Sequence, residues 1–141
     1  MTPQQVDQVQ KSFAKVVPIA DRAAALFYAR LFEKAPAARA LFHGDMRLQE
    51  QRLMTAIAMI VSSLNRIEQI APMVRALARR HIAYGVRPEH YPAVGATLLW
   101  TLEQGLGDEF TPALRDAWAA AYAILSELMI AAAYPEQRQV A

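Results

Sequence analysis

Apolar residues return at three- and four-residue intervals along almost the whole chain, and polar or proline corners interrupt them. Thr2 followed by Pro3 has the form of a helix start, with Gln5 placed to complete a capping box. Val6, Val9, Phe13, Val16 and Val17 then keep helical spacing until Pro18 breaks it. Asp21 offers a fresh start. The stripe Ala24, Ala25, Leu26, Phe27, Tyr28, Leu31 and Phe32 is wide enough for a helix covered on more than one side. Pro36 ends it, a short turn carries Ala40, Leu41 and Phe42, and His43-Gly44-Asp45 reads as a loop.

A long helix is predicted from about Arg47 to Leu64, with Met54, Ile57, Ile60 and Val61 inward and Asn65 as its stop. Ile67, Ile70, Met73, Val74 and Leu77 lead into a helix that carries His81 and stops at Gly85. Two prolines in Val86-Arg-Pro-Glu-His-Tyr-Pro92 mark the entry of the next helix, which Gly107 caps. Thr111-Pro112 repeats the cap-plus-proline signal, and the last helix runs to about Ala133. One domain over residues 1–134 and a polar tail over 135–141 are expected.

The pattern therefore predicts an all-α chain of six substantial helices plus one short turn of helix. So many breaks suit helices crossing around a pocket better than a four-helix bundle. Composition agrees: among 141 residues 55% are hydrophobic and only 5 are glycine, which disfavours a turn-dense β protein. No β-hairpin or repeat signal appears. The net charge is +2 and no basic run is interleaved with aromatics, so a nucleic-acid surface is not expected. With 0 cysteines, disulfides, thiolate metal sites and covalent c-type haem attachment are excluded.

Residues 117–134 are apolar except for Ser126 and Glu127, nearly enough to span a bilayer. A glutamate there would be expensive in hydrocarbon, and alanine adds little to insertion. A buried helix and no membrane span are the expectation. The polar start Met1-Thr-Pro-Gln-Gln has no apolar signal core, which suggests a cytoplasmic protein.

His81 borders the apolar face of Leu77, Ala78 and Ile82. A metal ion, haem iron or a hydrogen-bonded core site would each satisfy its ring nitrogens. His43 and His90 fall in loops, where surface or capping roles are expected. No phosphate loop, nucleophile elbow, metalloprotease motif or Ca²⁺ loop is present.

A set of motifs in order carries more. Phe27-Tyr28 with Leu31-Phe32 precedes Pro36, Leu41-Phe42, and Gln49 with Leu53. His81, Gly85-Val86, His90-Tyr91-Pro92 with Val94-Gly95, and Asp116-Ala117-Trp118 with Tyr122 follow. In this order the chain resembles the bacterial single-domain haemoglobins of the Vitreoscilla type and the globin half of flavohaemoglobins. The resemblance implies a globin fold and haem b, with His81 as the proximal iron ligand. It implies Phe42 against the haem face, and Tyr28 and Gln49 as distal groups that stabilise bound O2. Leu53, Ile57, Arg80, Val86, Tyr91 and Val94 would complete the pocket, with Arg79 and Arg80 placed for haem propionates. One departure is implied too: flavohaemoglobins join the proximal tyrosine and histidine to a glutamate, and the matching position here is Ala133. Weaker oxidative chemistry is the expected result.

The implied function is reversible binding of O2, CO and NO at ferrous iron. Nitric oxide dioxygenase activity with a separate flavin-containing reductase is the enzymatic alternative. A haem-based gas sensor, or a haem-free interaction module on the same scaffold, belongs to a further class. Monomer and homodimer both stay open.

Overall fold

The capping box encoded at the start of the chain is formed. Thr2 Oγ1 accepts from the Gln5 amide at 3.1 Å, and Gln5 Oε1 accepts from the Thr2 amide at 3.0 Å. The helix it opens is α1 (Pro3–Val16), followed by α2 (Ala20–Lys34), α3 (Met46–Ser62), α4 (Ala71–Ala83), α5 (Tyr91–Leu106) and α6 (Pro112–Ala133). The structure is a computed structural model that describes residues 1–133, so Tyr134 and the polar tail lie outside the described residues. Among the described residues there is no strand. The six expected helices are present, but every connection contains a 3₁₀ segment where the pattern predicts only one short turn.

Side-chain caps explain two of the starts. Asp45 accepts from the Arg47 amide at 2.9 Å and starts α3 one residue earlier than its apolar pattern predicts. Thr111 accepts from the Leu114 amide at 3.2 Å and opens α6. The other end of α3 is a correction: it stops at Ser62, and Asn65 lies inside a 3₁₀ segment, Leu64–Ile70. Arg66 there leaves helical geometry at φ −146°, ψ 43°. The apolar spacing of Ile67 and Ile70 survives such a kink, so spacing alone reads through it.

The principal core gathers Val9, Phe13 and Val16 of α1 with Leu102 and Leu106 of α5 and Leu114, Ala117 and Trp118 of α6. Each large apolar side chain so buried contributes about 1.5–3 kcal/mol. Trp118 donates its indole N–H to Ser12 Oγ at 2.9 Å, which satisfies both polar groups inside this core. Two smaller apolar clusters adjoin it, one of them sharing Leu98 with it. One is built on Phe27, Tyr28 and Leu31 of α2, the other on Val74, Ala78, Tyr91 and Met129. The packed helix pairs include α2 with α3 and α5, and α4 with α6, whereas α3 and α4 do not pack substantially on each other. At 22 residues α6 is long and apolar enough to cross a membrane by length and composition, yet it packs against α1, α4 and α5.

Candidate functional site

The wall expected to be distal is assembled by α2 and α3. Tyr28 is 5% exposed and sits in an aromatic cage. Phe27 and Phe42 meet its ring edge-on at 5.1 and 5.3 Å between centroids, and Phe32 lies at 5.9 Å. Gln49, in the first turn of α3, donates Nε2–H to the Tyr28 hydroxyl at 3.2 Å across a sequence separation of 21. A phenol oxygen that accepts in this way keeps its own proton to donate elsewhere. Burial raises the Tyr28 pKa above its ordinary value, the Gln49 hydrogen bond opposes that rise, and Glu50 adds to it. The hydroxyl is therefore a neutral donor throughout the physiological range. Leu53, one turn beyond Gln49, packs on this cluster with Val94 and Leu98.

The wall expected to be proximal is local. His81 Nδ1–H donates to the Leu77 carbonyl at 2.8 Å, one turn back on α4. Burial lowers the His81 pKa first and the charge of Arg80 lowers it further, against the opposing hydrogen bond to Leu77. The imidazole is neutral at pH 7, with Nδ1 committed and the Nε2 lone pair left for a ligand. Just past His81 the helix stops. The Val86 amide donates to the His81 carbonyl at 3.0 Å and the Gly85 amide to Ile82 at 2.9 Å, a Schellman closure. It requires the left-handed backbone that Gly85 adopts at φ +93°.

Below this helix lie Val86 and Tyr91, packed with Leu77 in the second small cluster. The Tyr122 hydroxyl donates to the Tyr91 carbonyl at 2.7 Å and so anchors the start of α5. Its ring crosses α5 at Gly95, where an added Cβ would stand 2.6 Å from Tyr122 Cε2. Ala133 packs against the same cluster as Tyr91.

The structure thus brings Tyr28, Phe42, Gln49, Leu53 and Val94 to one wall, and His81, Val86 and Tyr91 to the other. Ile57 packs against the principal core and lines, together with Leu53, Phe27, Leu98 and Trp118, a cavity of about 20 Å³. Arg80 is exposed and forms no ion pair among the described residues. His90 takes the capping role expected of it, accepting from the Arg87 amide at 3.0 Å, and His43 is exposed. The role of Leu77 as the acceptor that orients His81 was not anticipated, although its place one turn before the histidine is a readable signal. Leu98, which touches both the distal cluster and the principal core, carries no such signal.

These residues fit a porphyrin iron. Among the described residues no group of three or more His, Cys, Asp or Glu side chains gathers around a metal position. One neutral histidine is a donor set suited to an iron whose other ligands come from a macrocycle. Phe42, Leu53, Leu77, Val86, Val94 and Leu98 are apolar yet only half buried, on two clusters whose helices α3 and α4 do not pack substantially on each other. A flat apolar group between those clusters would complete their burial.

Comparison with known proteins now defines the class. The globin family model matches residues 25–129, and the chain belongs to the globin family. It is 38% identical over 107 residues to a flavohemoprotein of Bordetella parapertussis, covering 74% of this chain and 27% of that protein. A flavohemoprotein of Pseudomonas putida is 36% identical over 110 residues, covering 75% and 28% respectively. The chain therefore spans little more than a quarter of these relatives. A bacterial globin from Campylobacter jejuni superposes with a TM-score of 0.86 at 24% identity, covering 97% of this chain and 99% of that one. An engineered carbene transferase from Rhodothermus marinus, whose parent is named as a candidate nitric oxide dioxygenase, gives 0.88 at 24% identity, covering 99% and 98%. Both confirm the fold.

Proposed function

We propose that this globin holds haem b through His81 and reversibly binds O2, and also CO and NO. Ferrous haem supplies the open coordination position that such diatomic ligands occupy. The residues of the chain do the rest. His81 stays neutral and fixed through Nδ1, Tyr28 offers its proton to a polar ligand atom, and Gln49 sets the direction of that hydroxyl. Phe42 and Leu53 wall the space with apolar surface, where an aimed donor acts more strongly than in water. The observation that carries this reading is the Gln49–Tyr28 hydrogen bond, made inside an aromatic cage.

The visible spectrum of haem-loaded protein tests it, recorded ferric, then reduced, then in air. A histidine-ligated ferrous spectrum that converts to a long-lived oxygenated form is expected. Immediate oxidation to the ferric form in air, or no haem uptake, would overturn the reading.

A second reading is nitric oxide dioxygenase activity with a flavin-containing reductase as electron source. The similarity to flavohemoproteins favours it. A single encounter of the oxygenated protein with NO does not separate the two, whereas sustained NO consumption with NADH and a reductase does. Consumption that stops after one equivalent per haem would remove the enzymatic reading.

A further inference from the structure

The twenty residues from Gln69 to Pro88 contain four arginines, Arg75, Arg79, Arg80 and Arg87, and no aspartate or glutamate. The whole chain carries +2, so everything outside this stretch nets about −2. All four arginines are exposed, and none takes part in an ion pair among the described residues. Elsewhere Lys11, Lys15, Arg30 and Arg115 each have an acidic partner within 4.0 Å, and the unpaired Arg22, Lys34, Arg47, Arg52 and Arg66 each have an aspartate or glutamate within two residues along the chain. The basic charge is thus concentrated on α4 and the turn after it, and it is left uncompensated there.

A helix C-terminus attracts cations, and this accounts for Arg80 in the last turn. It does not account for Arg75 and Arg79. These two are four residues apart, so they share one outward stripe of α4. Ile82, 41% exposed, continues that stripe three residues beyond Arg79, and Tyr84, 52% exposed, follows at the end of the helix. Guanidinium groups beside an exposed aliphatic and an exposed tyrosine have the make-up of a protein contact surface. Arginine in particular grips carboxylates through paired hydrogen bonds. The stripe is on the helix that carries His81, the residue that would hold the iron, and faces outward from it.

We propose that this arginine face of α4 docks an acidic electron-donor protein that returns ferric iron to the ferrous state. The proposal rests on the haem reading above. One electron leaves the reduced flavin of the donor, the iron accepts it, and the donor departs oxidised by one electron. Such encounters are small, weak and fast, and opposite charge supplies their rate more than their affinity. Arg75 and Arg79 then serve as steering groups, and substrate gas touches neither.

The test uses haem-loaded protein and a purified bacterial flavodoxin, a small acidic flavin protein, as probe. Binding is read by surface plasmon resonance and ferric reduction by stopped-flow absorbance with photoreduced flavodoxin. The Arg75→Glu variant, which keeps the propionate candidates Arg79 and Arg80, should lose about threefold or more in both at low salt. Raising NaCl from about 20 to 300 mM should slow the unaltered protein about tenfold and the variant clearly less. Reduction by dithionite, which needs no protein docking, should stay within about twofold, as should the thermal midpoint. Equal flavodoxin rates in the two proteins, or no salt dependence, would overturn the docking face. So would wild-type protein that binds phosphatidylglycerol vesicles but not flavodoxin, since the face would then serve a lipid surface. Absence of haem uptake would sink the functional reading itself and with it the electron-transfer role. Loss of contrast in a haem-loaded protein sinks the docking face alone.

Discussion

The two walls of the site are built by opposite means. The proximal wall is made from one short stretch of chain: His81, the Leu77 carbonyl one turn before it and the Gly85 stop just after it. The distal wall is made across the fold. Tyr28 on α2 depends on Gln49 on α3, and between them lie the Pro36–Leu41 segment and the loop that Asp45 ends. A local device keeps its geometry as long as its helix exists. A non-local one is set by packing, and small shifts of α3 against α2 retune it. On the proposed function the difference divides labour: the anchor would be rigid by construction, and ligand affinity would be adjusted on the other side.

The sharpest break in this comparison is His81→Ala. It removes the donor proposed to anchor the haem, and haem affinity should fall by roughly 100-fold or more, since even supporting groups of metal ligands are worth about 10–100-fold. Haem titration followed by absorbance checks this, and restored ligation by added imidazole separates loss of the donor from loss of the fold. An unchanged spectrum would remove His81 as the ligand. Next is Tyr28→Phe, which deletes the distal donor while keeping the ring. Oxygen should leave about 10- to 100-fold faster, as a hydrogen bond to a charged acceptor is worth about 1.5–3 kcal/mol. Because burial holds the Tyr28 proton above its ordinary range, the wild-type rate should stay flat with pH up to about 10.

Gly85→Ala attacks the proximal device through the backbone. A φ of +93° strains any side chain, and the added Cβ would meet Leu41 at 3.2 Å. A loss of about 1–3 kcal/mol in unfolding free energy is expected, measured by urea titration. The smallest effect should be Gln49→Leu. It leaves the Tyr28 hydroxyl in place but undirected, and oxygen loss should speed by less than about tenfold, in line with a net hydrogen-bond worth of about 0.5–1.5 kcal/mol. A larger effect than that of Tyr28→Phe would mean that Gln49, and not Tyr28, meets the ligand.

Legibility in the sequence followed the same division. Local devices were readable: the Thr2–Gln5 box, the Gly85 and Gly107 stops, and the Thr111 cap all rest on residues within a turn of each other. So was His81 as a candidate ligand. Tyr28 and Gln49 were reached through resemblance, because no spacing rule links residues on two helices. Leu53 and Ile57 share a stripe and line one small cavity, yet Leu53 packs on the cluster of Phe27, Tyr28 and Leu31 and Ile57 on the principal core, a difference that periodicity does not register. The kink at Arg66 was hidden for a related reason, since apolar spacing continues across it.

The measurement that bears most directly on the distal account is oxygen dissociation in a double-mutant cycle of Tyr28→Phe and Gln49→Leu. If Gln49 acts by directing the Tyr28 hydroxyl, the double variant should release oxygen at the rate of Tyr28→Phe alone. Multiplying effects in the double variant would show two independent groups and contradict the coupled pair.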